Sequence, residues 1–235
     1  LESARAAVAA WADAVENDIY ITTDDHLVIM HDDTVNRTTT GTGAVEGMSL
    51  DQVKALLTKG KGYQVPTMRE YFQAFKNKPI THVIELKSAN PRIIAQLKKE
   101  MEQEGVADQS VAISFSSDQL KRSAEQMPEL TGGFLNSIAE SADVTNSVRN
   151  VLEATQANSS TFNPSYGAIS QRTMEAAKHR GVTFWPWTVN TPADFYKYYS
   201  WGTHGITTDH AYLASDFPVD ISAKPRSEER RVGKE

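Results

Sequence analysis

Cysteine is absent from all 235 residues, which excludes disulfides, thiolate chemistry and cysteine-based zinc sites. No apolar run approaches the roughly 18–20 residues that a membrane-spanning helix needs. Net charge is −6, and no basic cluster lies in the body of the chain, so the footprint for nucleic-acid backbone binding is missing. No Gly-x-Gly-x-x-Gly turn follows any strand pattern, which disfavours a dinucleotide-binding doubly wound sheet, the runner-up fold. The lack of cysteine suits an exported Gram-positive protein, so an extracellular or cell-surface location is expected ahead of a cytoplasmic one.

What is present is a rhythm. After a first helix over residues 1–12 and a strand over Ala14–Thr22, a short apolar strand, His26–Met30, leads to His31 and Asp32. A loop rich in turn residues follows, Arg37-Thr-Thr-Thr-Gly-Thr-Gly43. Ser-Leu-Asp-Gln at Ser49 then matches a capping box for a helix to Leu57, and Thr67 is placed to cap a helix over Met68–Phe75. From there strand patterns at Thr81–Leu86, Ser110–Phe115, Gly132–Leu135, Ser159–Phe162, Val182–Thr188 and Gly205–Thr207 alternate with helical ones. Strands separated by helices of that length imply parallel βαβ units. With one further strand upstream of the first helix, the count is that of a (β/α)₈ barrel, whose chemistry sits at the C-terminal ends of its strands.

The stretch Ala14-Val-Glu-Asn-Asp-Ile-Tyr-Ile-Thr22 organises the rest. Alternation puts Val15, Ile19 and Ile21 on one face and Glu16 with Asp18 on the other. Two carboxylates at i, i+2 on a strand stand roughly 6–7 Å apart. On a buried strand they repel unless a cation lies between them, and hard oxygen ligands select Mg²⁺ or Ca²⁺. The plain alternative is an edge strand whose acidic face meets water. Glu85 and Lys87 repeat the i, i+2 pattern at the end of Thr81-His-Val-Ile-Glu-Leu-Lys87, His31 follows the second strand, and Trp185 and Trp187 stand in Phe184-Trp-Pro-Trp-Thr-Val-Asn190. Three carboxylates, a lysine, a histidine and aromatics at one barrel mouth describe a metal-assisted site for an anionic substrate.

Seven pieces in order carry a resemblance: Ala12-Asp-Ala-Val-Glu-Asn-Asp18, His26-Leu-Val-Ile-Met-His-Asp32, Arg37-Thr-Thr-Thr-Gly-Thr-Gly43, Val65-Pro-Thr-Met-Arg-Glu70, Val83-Ile-Glu-Leu-Lys87, Trp185-Pro-Trp-Thr-Val-Asn190 and Gly205-Ile-Thr-Thr-Asp209. The sequence resembles the glycerophosphodiester phosphodiesterases over nearly everything from Leu1 to Phe217. That resemblance implies a barrel in which Glu16, Asp18 and Glu85 hold one divalent cation, Ca²⁺ favoured over Mg²⁺. It implies that Lys87 contacts phosphate and that His31 is one of two catalytic histidines, protonating the leaving alcohol. Trp187, with Trp185 behind it, is read as walling the glycerol or head-group pocket, against a plain role filling the barrel core. His82, His179, His204, His210 and Asp209 are read as structural, and Arg37 with the following threonines as architecture behind His31.

The implied substrate is a small glycerophosphodiester or a teichoic-acid-like polymer, with no nucleic acid and no membrane span. Two other readings stand beside it: a lipid phosphodiesterase of the sphingomyelinase D type, and a barrel that binds phosphoglycerol without turnover. The family's opening His-Arg-Gly strand and Pro-Glu-Asn-Thr would precede Leu1. The sequence is therefore expected to be a piece of a longer product, incomplete at the N-terminus, poorly stable and nearly inactive by itself. The domain is expected over residues 1–225. The final stretch, residues 226–235, resembles a translated sequencing adapter and is expected to be disordered. Trp11 stands where the family has glycine, at a helix end that wants a left-handed residue.

Overall fold

The computed structural model describes residues 1–137, 143–167 and 169–215; the expected tail over 226–235 lies outside them. The first helix, α1 (Glu2–Ala9), leads into β1 (Ala14–Ile21), which turns back through β2 (Leu27–Ile29). After α2 (Leu50–Lys54) and α3 (Met68–Phe75) come β3 (Thr81–Leu86), α4 (Arg92–Glu104), β4 (Ser110–Ser114), α5 (Ser117–Gln126) and β5 (Thr131–Asn136). Next are α6 (Val144–Ala154), β6 (Ser160–Pro164), α7 (Gln171–Lys178), β7 (Thr183–Phe184), α8 (Pro192–Trp201) and the short α9 (Tyr212–Ser215). Both anticipated caps are present: Ser49 and Thr67 each form a reciprocal capping box, with Gln52 and Glu70.

The strands form one sheet in the order β2-β1-β3-β4-β5-β6-β7, parallel except for the β1–β2 hairpin. Six of the parallel segments read from sequence are strands. The expected strand over Val182–Thr188 shrinks to two residues: Trp185 and Trp187 N–H still donate to the Phe162 and Pro164 carbonyls, but Pro164 on β6 has no N–H to return a bond to Trp185. The expected strand at Gly205–Thr207 is not a regular one. It nonetheless runs beside β7: Gly205 N–H donates to the Phe184 carbonyl and Thr207 N–H to that of Pro186.

Alternation gives the sheet two apolar faces. Val15, Ile19, Ile84 and Leu86 pack outward under α3 and α4, against Phe72, Ile93 and Leu97. Val83, Val111, Ile113 and Leu135 face the other way and share one cluster with Ala14, Trp185 and Trp187. Residues from β1 to the segment after β7 meet there, so the sheet curls around an interior, as a barrel does. The excursion between β2 and α3 has a third core of its own, Val35, Val45, Val53 and Val65 against Tyr20, Val28 and Met30.

Candidate active site

The register of two strands builds the centre of the site. Asp18 pairs directly with Glu85 across β1 and β3, and Glu16 lies one step earlier on the same face. One ligand oxygen from each of Glu16, Asp18 and Glu85 lies within 4.8 Å of the other two. Lys87, just past the end of β3, reaches back so that its Nζ is 3.0 Å from Glu85 and 3.3 Å from Asp18. Three carboxylates thus share one close cation.

That imbalance is visible in protonation. Burial among protein atoms, then Asp18 and Glu85, raise the Glu16 carboxyl well above its usual range, although one side of the residue stays open to water. Burial raises Glu85 to about 7, with Lys87 pulling the other way. A cluster of oxygen donors that resists holding three negative charges beside one lysine is the donor set that a hard divalent cation satisfies. The residues fit such an ion.

His31 joins Glu16, Asp18, Met30 and Thr38 in lining a cavity of about 290 Å³. Its Nδ1 is 2.8 Å from Asp32 Oδ1, and Arg37 closes a fork on the same carboxylate with bonds of 2.6 and 2.8 Å. The guanidinium and the imidazole together hold the Asp32 carboxyl well below the usual range. With Nδ1 engaged, Nε2 is the nitrogen left to act, and the His31 side chain is 66% exposed. Arg37, read from sequence as architecture behind His31, does its work through Asp32, which the motif contained but no role had been assigned.

Of the two roles that sequence reading weighed for Trp187, the packing shows the core-filling one. Trp187 packs on the interior cluster of Val83, Val111, Ile113 and Leu135, and its indole N–H donates to the Asn163 carbonyl at 2.7 Å. Its ring meets the edge of Phe115 at 5.6 Å, and Phe115 is half exposed at the C-terminal end of β4. Sequence reading missed Phe115; the available signal was a large aromatic one residue beyond a strand end. Trp185 lies over Gly205, where a Cβ would stand 3.1 Å from the indole, so close approach of the last segment needs glycine.

The histidines read as structural fall into two groups. His82 is fully buried between the rings of Tyr71 and Phe72, and burial lowers its pKa to about 4. His204 Nδ1 accepts from the Phe184 N–H. His179 and His210 are exposed. Asp209 is fastened by Asn190, whose amide donates to its carboxylate and accepts from its backbone N–H.

Comparison with known proteins bears on the family and the fold. A family model described as "Glycerophosphoryl diester phosphodiesterase family" matches residues 1–213. A curated relative from Caldanaerobacter subterraneus subsp. tengcongensis, named glycerophosphodiester phosphodiesterase, is 30% identical over 84% of this chain and 82% of its own. Among solved structures, a phosphodiesterase from Oleispira antarctica in complex with the product sn-glycerol-3-phosphate superposes with a TM-score of 0.79 at 22% identity, covering 91% of this chain and 89% of that one. A glycerophosphodiester phosphodiesterase from Parabacteroides distasonis gives 0.77 at 21% identity over 93% and 88%.

Proposed function

This chain belongs to the glycerophosphoryl diester phosphodiesterase family, and from that premise we propose that it hydrolyses glycerophosphodiesters to sn-glycerol 3-phosphate and an alcohol. The observation that carries the reading is the cluster of Glu16, Asp18 and Glu85 around Lys87 at paired strand ends. It supports an anionic substrate only when the carboxylates are neutralised, which a phosphodiester enzyme achieves with a cation.

Glu16, Asp18 and Glu85 would hold one divalent ion, Ca²⁺ ahead of Mg²⁺ because flexibly spaced carboxylates suit the larger ion. Such an ion, when bound, draws charge from the phosphate oxygens. Lys87 binds a phosphate oxygen and offsets the charge that gathers on it in the transition state. Hydrolysis places a water hydroxyl on phosphorus and breaks the bond to the alcohol, whose oxygen then needs a proton. His31 supplies it from Nε2, while Asp32 and Arg37 hold the ring at Nδ1; the second proton of the attacking water leaves to solvent, from which His31 regains its own. The half-exposed Phe115 edge and the Trp187 face offer an apolar wall for the carbon side of glycerol or the head group. A polymer of teichoic-acid type carries the same bond and is the second substrate to assay.

The test is direct. The chain is incubated with glycerophosphocholine and Ca²⁺, and sn-glycerol 3-phosphate and choline are measured with and without chelator. Chelator-sensitive release of both products above the uncatalysed background supports the reading. Binding of the diester with no product points instead to a barrel that only binds phosphoglycerol.

A further inference from the structure

The excursion between β2 and α3 carries a residue that the reaction has not used. Glu46 lies on the single 3₁₀ turn Val45–Gly47, far in sequence from the strand ends. Its carboxylate nevertheless accepts a hydrogen bond from the hydroxyl of Ser88, the residue immediately after Lys87. Ser88 is fully buried and firmly held: its Oγ also accepts from Asn90 N–H at 2.9 Å, and its carbonyl accepts from the buried Gln119 side chain. One end of the contact is therefore a fixed anchor.

The other end leads to the histidine. Val45 N–H donates to the Asp33 carbonyl at 2.9 Å, and Val35 N–H to Gly43 at 3.0 Å, so the turn bearing Glu46 is stitched to the strand of backbone that follows His31 and Asp32. Without Glu46, that stitched unit still rests on the sheet through its own apolar core, through Asp24, which accepts from Leu50 N–H, through Thr23 N–H to the Met48 carbonyl, and through Met30 N–H to the Asp18 carbonyl. None of those contacts touches the β3 end.

We propose that Glu46 is a positioning residue: its hydrogen bond from Ser88 registers the segment carrying His31 against the strand end carrying Glu85 and Lys87. The proposal rests on the hydrolytic reading above. Small displacements of a well-placed group cost on the order of a hundredfold in rate, so a tie of this kind acts on turnover more than on binding.

The experiment compares Glu46→Ala, Ser88→Ala, the double variant and Glu46→Gln in the whole chain. It measures kcat and KM on glycerophosphocholine, Ca²⁺ affinity by calorimetry, and hydrogen exchange at the Val35 and Val45 amides. Each alanine variant is expected to lower kcat about tenfold or more with KM and Ca²⁺ affinity within about twofold. The double variant should be no worse than Ser88→Ala, which removes the same bond and also frees Asn90 N–H. Glu46→Gln, whose amide oxygen still accepts from Ser88, should return most of the rate. Additive losses, an unchanged kcat in Glu46→Ala, or a Glu46→Gln as impaired as the alanine variant overturns the tie. If the unaltered chain turns over no diester, the hydrolytic reading fails by itself. The tie is then decided by exchange: faster exchange at Val35 and Val45 in both alanine variants upholds it, and unchanged exchange overturns it.

Discussion

Two charged clusters contribute to one cavity, Glu16 and Asp18 from one and His31 from the other, and they are built in opposite ways. Glu16, Asp18, Glu85 and Lys87 stand on or just beyond two paired strands, their backbone fixed by the sheet, with more negative charge than the lysine offsets. Asp32, Arg37 and His31 stand on a loop, and their charges are satisfied among themselves. The first cluster has a backbone fixed by strand pairing and is electrically incomplete. The second is electrically complete and owes its geometry to its own hydrogen bonds. The difference indicates which cluster waits for something from outside: the strand cluster needs a cation, whereas the loop cluster only aims a ring.

Glu85→Ala breaks the strand cluster most severely. It removes an oxygen from the cation set and the closest partner of Lys87, so we expect loss of turnover by about a thousandfold or more, as when transition-state charge loses its support. Ca²⁺ affinity, measured by calorimetry, should fall with it. Retained Ca²⁺ affinity would show that the ion, if any, sits elsewhere. Asp32→Ala strikes the other cluster and should do less. The ring of His31 loses its guide but not its place, so kcat should drop by about tenfold to a hundredfold, the usual range for a group that orients another. Ca²⁺ affinity should stay within about twofold of the starting value. If Asp32→Ala weakened the ion as strongly as Glu85→Ala does, the two clusters would be one unit and the contrast would collapse.

The incompleteness of the strand cluster also has a pH signature. Glu16 and Glu85 have raised pKa values in the folded chain, Glu85 about 7 against an ordinary 4.5. Between those values the folded state holds more protons than the unfolded state, so stability from these groups is present at acid pH and is lost as pH rises. A bound divalent ion removes that loss. Millimolar Ca²⁺ should therefore raise the melting temperature by a few degrees at pH 8 and by much less at pH 5, read by scanning calorimetry. Equal shifts at both pH values would mean that the ion does not bind at these carboxylates.

Sequence and structure part company along the same line. The strand cluster was legible because period-two alternation and parallel pairing follow from local pattern: Glu16, Asp18, Glu85 and Lys87 stand where that pattern puts them. Both capping boxes were legible for the same reason, being bonds between near neighbours. The last staves of the barrel were read less well, since Pro164 leaves the β6–β7 ladder without a donor and the Gly205–Thr207 segment pairs without regular ladder geometry. What could not be read at all spans distance in the chain: Phe115 against Trp187, and Glu46 against Ser88, 42 residues apart. No periodicity encodes such contacts, because they arise only once an excursion has folded onto a strand end.

The smallest effect lies at the entry to β1. α1 ends in a Schellman arrangement: Ala12 N–H donates to the Ala7 carbonyl and Trp11 N–H to that of Val8. Trp11 occupies the left-handed position with φ 64 and is 80% exposed. The helix end thus keeps the conformation that suits glycine, and tryptophan bears the strain, about 1–2 kcal/mol for a residue with a Cβ. Trp11→Gly relieves that strain but frees the unfolded chain by about 0.5–1 kcal/mol. Little burial is lost with the exposed ring, so the net gain should be near 0.5–1 kcal/mol, or about 1–4 °C in melting temperature. Because the change supports only the strand that carries Glu16 and Asp18, the kcat lost in Asp32→Ala should not recover when the two substitutions are combined. A lower melting temperature for Trp11→Gly would instead mean that the exposed indole packs usefully against the helix it ends.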